Sequence, residues 1–570
     1  MKTLNLHVDY IEWQALKKAL KNVDELGKQN TEKNRVEECL VVLTAVEKND
    51  ESNKKLIETF VENTCSIADQ IKTKKVVLYP YAHLSKNLGS PSDAMKILDA
   101  ISERLKKEDY EVFRAPFGYY KSFEMKVKGH PLSELSREIV CENEIETKDL
   151  NEKEVQNLLR EISKSRLDTS KLADNDHRIL GKKLDLWSFS PVAPGMVFWH
   201  DKGLFIKNKL IEFWREMHRK ENYLEISTPQ IMDKKLWEIS GHWSKYGENN
   251  FKTNYEGRDF LVKPMNCPGG MLVYKSSPKS YKDFPLRVGE LGVVHRVELS
   301  GVLSGLFRVI QFTQDDAHLF CKDEKQTKEE IFNLIDLIKV FYKTFNLEFD
   351  HVELSTRPEK RIGLDKDWNM AEKILEDSLK EKKIKYKINE GDGAFYGPKI
   401  DFHVKDSLNR TWQTSTIQLD FALPERFDLS FADENGKEQR PIMLHRVIYG
   451  SLERFIGILT EHTNGKFPLW LSPNQIKILT LNEKADDYAK EIYEKLFDLG
   501  YRVELDLRNE SIGKKVRDAS IERFNYIVSV GENEIQNNSL AVKARDEKNA
   551  ENFSFEEFLK KLKMKIISRE

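Results

Sequence analysis

Near its start the chain alternates Leu4, Leu6 and Val8 with polar neighbours, the period-two pattern of a half-buried strand. Cys39 to Val46 and Lys75 to Tyr79 are short β-rich runs, and the stretch between them, Glu51 to Ile71, predicts a helix. A second helix start is marked at Ser90-Pro91-Ser92-Asp93, where Ser caps, Pro suits the first turn and Asp completes a capping-box pattern. Ile97, Ile101 and Leu105 then recur every four residues and define one buried face. These elements predict a compact α+β unit of about 140 residues.

The character changes at residues 142–175, a charged, helix-prone stretch that reads as a linker carrying a helix. An aromatic segment with Pro and Gly, SFSPVAPGMVFWH (188–200), opens the next domain, which runs to about Trp470. From Ser472 the pattern shifts again. A β-rich run (Gln475 to Leu481) leads to a helix with Tyr488, Ile492 and Leu496 on one face, stopped by Gly500. An alternating strand (Val503, Leu505, Leu507), a helix (Ser511 to Phe524) and a strand (Tyr526 to Val530) follow, which argues for a small α/β domain. The expected division is therefore 1–143, a linker region over 144–195, 196–470 and 471–570. No internal repeat or low-complexity tract interrupts it.

Composition narrows the class without naming it. At 570 residues the chain exceeds one core and suggests about three or four domains. Hydrophobic residues make up 39% and charged residues 33%, as in a water-soluble globular protein. Its apolar runs are too short to span a bilayer, and the N-terminus lacks an apolar signal core, so a cytoplasmic location without membrane attachment is expected. Five cysteines form no CxxC pair, and reduced thiols are expected. Net charge is −2, so any claim of nucleic-acid binding rests on motifs and not on basic bulk.

The central domain concentrates unusual residues in ordered blocks: KPMNCPGG (263–270), VHRVELSGVLSGLFR (294–308), FTQDDAHLF (312–320), GAFYGPKIDF (393–402) and LHRVIYGSLERFIGILTE (444–461). Arg296 and Arg308 flank a loop holding Gly301 and Gly305, a way to close two guanidinium forks on a phosphate chain. Arg454 stands in an apolar helical segment and requires an anion, from protein or ligand. Taken singly, each arginine is more often a structural ion-pair member; their clustering around a Gly-bearing loop is what favours the phosphate reading. Cys267, His318 and His445 are far apart in sequence, and their spacing alone favours a buried cysteine and two hydrogen-bonded histidines.

The blocks together resemble the threonyl-tRNA synthetases of the class II aminoacyl-tRNA synthetases, from about Asp176 to the C-terminus. The resemblance implies a class II core built on an antiparallel sheet, with Cys267, His318 and His445 as ligands of one zinc ion. It implies ATP, with magnesium, on Arg296, Glu298, Arg308, Gln314, Lys399 and Arg454. Asp316, Tyr396, Gln413, Thr416 and Gln418 then correspond to the threonine and ribose region, and His242 to a proton-transfer residue. Pro229 matches the motif 1 proline near a dimer interface, so a homodimer is expected.

YPYAHLS (79–85) and RAPFGYYKSFEMKVKGHPLSELSR (114–137) resemble the editing domain of archaeal threonyl-tRNA synthetases, similar in fold to D-aminoacyl-tRNA deacylases. That resemblance assigns catalytic positions to His83, Tyr120, Lys121 and Glu134. Within it, Lys121 is suited to stabilise developing oxyanion charge or order a water, positioned by Tyr120 and Glu134. VELDLRNESIGKKVRDA (503–519) resembles the anticodon-binding domain of the class, which assigns tRNA contacts to Asn509, Glu534 and Lys543. Lys543 stands where bacterial relatives have arginine, and Arg545 is the neighbouring candidate for that contact. The implied activity is threonine–tRNA ligation with hydrolysis of mischarged seryl-tRNA; threonine tRNA, threonine and ATP are the implied partners.

Overall fold

The computed structural model describes residues 1–20, 32–48, 50–52, 55–85, 87–139, 152–162, 172–246, 250–406 and 409–570. They form two compact units, Met1–Leu150 and Asn151–Glu570.

The first unit is a six-stranded sheet centred on one long strand, Lys2–Lys18. It pairs antiparallel with Asn34–Ala45 on one side and with Tyr119–Val127 and Glu134–Glu138 on the other. Lys75–Pro80 and Glu111–Arg114 extend the sheet in parallel, through helices Leu56–Gln70 and Pro91–Lys107. The helix start read at Ser90 is present: its hydroxyl accepts the Asp93 backbone N–H at 3.2 Å. Cys39 to Val46 reads as an unbroken apolar run because both faces of its strand are covered. Leu40 and Val42 join Phe60, Leu98 and Ile101 in one core layer, while Cys39, Val41 and Leu43 join Val8, Trp13 and Tyr79 in the other. Each such side chain contributes about 1.5–3 kcal/mol on burial.

The second unit is built on an eight-stranded, largely antiparallel sheet. Its order is Lys387–Asn389, Phe349–Ser355, Lys399–Lys405, Thr411–Asp420, Ile442–Ser451, Gln311–Cys321, Leu286–His295 and Leu224–Glu225. Helices Asp201–Lys220, Glu324–Thr344 and Leu452–His462 supply Phe213, Phe341 and Phe455 to the apolar core that also takes Leu319, Ile417, Leu444 and Phe402 from the sheet. That leaves the opposite sheet face for chemistry.

Two features differ from the division read along the chain. The helix Glu152–Ile162 is exposed, as a linker helix should be, and residues 144–151 and 163–171 of that expected linker lie outside the described residues. Residues 176–195, however, belong to the second unit's body. His177 is fully buried, its ring Nδ1 lies 2.7 Å from the Glu461 carboxylate, and its Nε2 accepts the Leu306 N–H at 3.0 Å. Gly305, at φ +52°, lets the chain pass against that imidazole; a Cβ there would overlap the ring. The second difference is that the C-terminal segment shares the compact unit of the central one while keeping its own core (Ile478, Ile492, Val528, Phe558). It forms a five-stranded sheet with Ile476–Thr480 flanked in parallel by Val503–Asp506 and Tyr526–Val530.

Candidate active site

Strand register brings together two members of the first cluster. His318 and His445 are direct cross-strand partners on adjacent antiparallel strands, with ring centroids 4.9 Å apart. Cys267 begins the helix Cys267–Lys275, and the three candidate ligand atoms lie within 4.8 Å of one another. Burial drives the Cys267 thiol well above its ordinary pKa, with the Asp316 and Asp420 carboxylates adding to the effect, so a thiolate needs a cation in the proton's place. Burial pushes His318 well below its ordinary pKa, which keeps it in the neutral, metal-binding form. Its Nε2 is buried without a hydrogen-bond partner among the described residues, while His445 Nε2 is oriented by the Asp420 carboxylate at 2.7 Å. One thiol, two imidazoles and an outer carboxylate make a donor set that fits zinc.

Beside this cluster opens a cavity of about 550 Å³. Its lining brings together Arg296, Glu298, Arg308, Gln314, Asp316, Tyr396, Gln413, Thr416, Gln418, His445 and Arg454, residues spread over more than 150 positions of sequence. Among the described residues the Arg454 guanidinium donates only to backbone carbonyls, Phe307 O at 3.0 Å and Gln413 O at 3.2 Å, and it lies over Trp412. Burial, followed by the charges of Arg308 and Arg296, depresses its pKa. Arg296 contacts Pro264 O and Met265 Sδ and lies over the Phe312 ring. Neither Arg296 nor Arg454 has an ion-pair partner among the described residues, whereas Arg308 pairs with Glu298 at 2.9 Å. Converging cations, most of them without a counter-charge, define an anion site.

The remaining expected residues occupy the rim or the layer behind. Lys399 does not line the cavity; its Nζ bonds Asp401 at 2.8 Å and Asp392 at 3.0 Å. His242 is buried behind Tyr396, 6.5 Å between rings, with Nδ1 2.8 Å from Ser240 Oγ. Burial and the Arg296 charge push its pKa down to about 3, leaving a neutral and weakly basic imidazole. Pro229 sits in the segment between strands Leu224–Glu225 and Ile231–Asp233.

Two acids missed in the sequence organise the site. Asp401 accepts from Gln413 (2.5 Å), Thr416 (2.8 Å) and Ser355 (2.8 Å) as well as Lys399, so it holds the Gln413 and Thr416 side chains in place. Asp315 accepts the backbone N–H groups of Ile448, Tyr449 and Gly450 at 2.9–3.1 Å and fixes the turn that leads to Arg454. Strand alternation separates the Asp315-Asp316 pair: Asp316 lines the cavity, Asp315 anchors the turn. That period-two reading of the doublet was the available signal.

In the first unit a second cavity, of about 540 Å³, is lined by His83, Tyr120 and Lys121 together with Tyr79, Tyr81 and Phe117. Lys121 Nζ donates to Pro116 O at 2.8 Å, and burial lowers its pKa to about 8. The structure does not bring Glu134 to this cavity. Glu134 pairs with Leu6, Lys121 with Ala15, so about 30 Å of one strand separates them at about 3.3 Å per residue.

In the C-terminal sheet, Asn509 and Glu534 follow the carboxyl ends of two parallel strands, and Glu534 also caps the helix Glu532–Asn537 through Gly531 N at 2.8 Å. Lys543 lies within strand Leu540–Ala544, opposite Ile527. The expectation for Arg545 is not met. Its guanidinium is spent on the carbonyls of Lys466, Phe467 and Arg523 at 3.1–3.3 Å and ties the C-terminal sheet to the segment preceding it, so it is not available for a base.

Comparison with known proteins follows the same division. Residues 251–463 match the tRNA synthetase class II core domain (G, H, P, S and T), the class that this antiparallel sheet and its arginines define. Residues 1–139 match the archaea-specific editing domain of threonyl-tRNA synthetase, and 475–565 an anticodon-binding domain. The RNA-binding domain of threonyl-tRNA synthetase from Cryptosporidium parvum is 40% identical, with a TM-score of 0.67 over 68% of this chain and 98% of its own. The threonine–tRNA ligases of Caldanaerobacter subterraneus and Carboxydothermus hydrogenoformans are 52% and 53% identical over 69% of this chain. The match spans 61% of the length of each of these two relatives. The chain belongs to the threonyl-tRNA synthetase family.

Proposed function

We propose that the chain activates threonine with magnesium ATP to threonyl-adenylate, transfers it to the 3′ end of threonine tRNA, and hydrolyses seryl-tRNA in its first unit. The observation that carries the reading is the convergence of Arg296, Arg308 and Arg454 on one cavity that also reaches Asp316 and, through His445, the Cys267–His318–His445 cluster. The three guanidiniums take up the triphosphate and the charge that shifts onto pyrophosphate as it leaves. Phe312 and Trp412 offer aromatic faces to the base, and Glu298, released from Arg308, offers an acceptor for its amino group. Gln413 and Thr416, held by Asp401, and Gln418 orient the amino acid and ribose. A zinc ion held by Cys267, His318 and His445 would supply an open coordination position for the amine and hydroxyl that threonine has and valine lacks as a pair. Asp316 faces the same space as a counter-charge for the amine. His242, neutral and behind Tyr396, orients the site more readily than it carries a proton.

Recognition of the tRNA at Asn509, Glu534 and Lys543, a homodimer formed near Pro229 and a cytoplasmic location complete the proposal. Exposed Leu224 and Ile231 around Pro229 support an interface there. The deciding experiment is amino-acid-dependent pyrophosphate exchange across threonine, serine and proline. Threonine should give the highest kcat/KM, and Cys267→Ala should lose zinc and threonine-dependent exchange together. Full exchange by the metal-free variant would remove the zinc from the mechanism; preference for proline would remove the substrate assignment.

A further inference from the structure

A second set of metal-type donors sits farther along the sheet. His351 and His403 are direct partners on the antiparallel strands Phe349–Ser355 and Lys399–Lys405. Their rings are stacked nearly parallel, 9° apart in plane with centroids at 4.4 Å. Glu353, two residues along the same strand face, reaches both: Oε1 lies 3.2 Å from His351 Nε2 and Oε2 3.5 Å from His403 Nε2. The three candidate ligand atoms lie within 4.8 Å of one another.

Three further observations point to a ligand. Among the described residues, His403 Nε2 is buried yet makes no hydrogen bond. His351 Nδ1 is taken by the Asp350 carboxylate at 2.7 Å, which turns Nε2 toward Glu353, the outer-carboxylate arrangement that fixes metal-binding imidazoles. Register shifts flank the pair, between Phe349 and His351 on one side and between Phe402 and His403 on the other, and such irregularities re-aim side chains. Asn389 Nδ2 donates to Glu353 Oε2 at 2.9 Å and holds the carboxylate in place.

We propose that His351, Glu353 and His403 form a second divalent-cation site, of the zinc or nickel class that two imidazoles and one carboxylate select. Alternate residues of one strand share a face, so the site lies on the same sheet face as Lys399 and Asp401, next along the strand that organises the threonine region. A cation there would cross-link the two strands, and its binding to the folded state alone would raise stability with its concentration.

The test uses the full chain and zinc itself. Wild-type protein dialysed against zinc should hold two ions per chain by elemental analysis, and His351→Ala or His403→Ala should hold one. Cobalt substitution assigns the survivor, because the thiolate-to-metal absorption band of a Cys267 site should persist in both histidine variants. Both histidines are partly solvent-exposed, so these variants should fold, and Glu353→Gln should weaken the second binding step at least tenfold. One ion per wild-type chain, lost only with Cys267→Ala and unchanged by the histidine substitutions, would overturn the proposal and leave the reading of the first cluster standing. A histidine variant that loses the thiolate band would overturn it as well, by showing that the two clusters are not separate.

Discussion

At Lys121 the surroundings set the chemistry more than the side-chain type does. Its Nζ donates to the carbonyl of Pro116, and the ammonium lies 5.0 Å over the Tyr79 ring. Burial lowers its pKa from the ordinary 10.5 to about 8. The sign follows from the charge: below about pH 8 the group is an ammonium able to stabilise an oxyanion, and above it the charge is lost. A lowered folded-state pKa costs stability while the group is charged, and that cost fades as pH rises from about 8 toward 10.5. Deacylation of seryl-tRNA, corrected for spontaneous hydrolysis, should therefore fall as pH rises through about 8. Lys121→Arg, which stays charged, should remove that fall; an identical falling limb in the arginine variant would exclude Lys121 as its source. The residue's place in a motif was legible in sequence, but its poise was not, because burial depends on where strand Tyr119–Val127 pairs.

At the scale of elements, helix Leu452–His462 connects the arginine-lined cavity to the body of the second unit. Ser451 caps it by accepting the Arg454 N–H at 3.2 Å, which sets the first turn that carries the guanidinium. At its other end Glu461 is buried and accepts from His177 and from Arg410 at 2.8 Å. Glu461→Ala would leave the buried His177 N–H and ring Nδ1 without their acceptor, while the part-exposed Arg410 keeps Asp406, and should cost about 1–3 kcal/mol for each orphaned group. Chemical denaturation of the two proteins measures it, and a loss below about 1 kcal/mol would mean that the segment 176–195 is not anchored there. This contact also marks what sequence reading reaches. The strand alternation at Leu4 to Val8, the cap at Ser90 and the helix–strand succession after Gln475 were legible because each is a local pattern. The assignment of 176–195 to a linker failed because its partner lies 284 residues away. Arg545 was misread for the same reason: its acceptors come from the segment before the sheet and from the turn at Arg523. The Cys267–His318–His445 cluster was invisible to spacing and emerged only from the blocks around it, since cross-strand register, not sequence distance, brings two of its members together.

Across the whole molecule, the two compact units each hold a separate hydrophobic core and a separate cavity, and the proposed function divides its two reactions between them. A site that binds an amine and a hydroxyl together rejects valine, but serine presents the same pair and lacks only a methyl group. One such group in a pocket separates substrates by only about 1–3 kcal/mol. Hydrolysis at a second site is the physical remedy, and a cavity lined by Lys121, Tyr120 and His83 in its own folded unit is placed to supply it. If the division is real, the two activities should separate on one substitution. Lys121→Met keeps the long apolar stem over Tyr79 and removes the ammonium. It should leave threonine-dependent pyrophosphate exchange and aminoacylation within twofold of wild type, while slowing seryl-tRNA deacylation by a factor on the order of 10²–10³, as for removal of one oxyanion donor. Accumulated seryl-tRNA in a steady-state charging assay gives an independent reading of the same loss. Equal reductions in charging and deacylation would mean that the substitution damages the chain as a whole and that the units do not work apart. Unchanged deacylation would move the hydrolytic role away from Lys121 to the other residues lining that cavity, His83 and Tyr120 first.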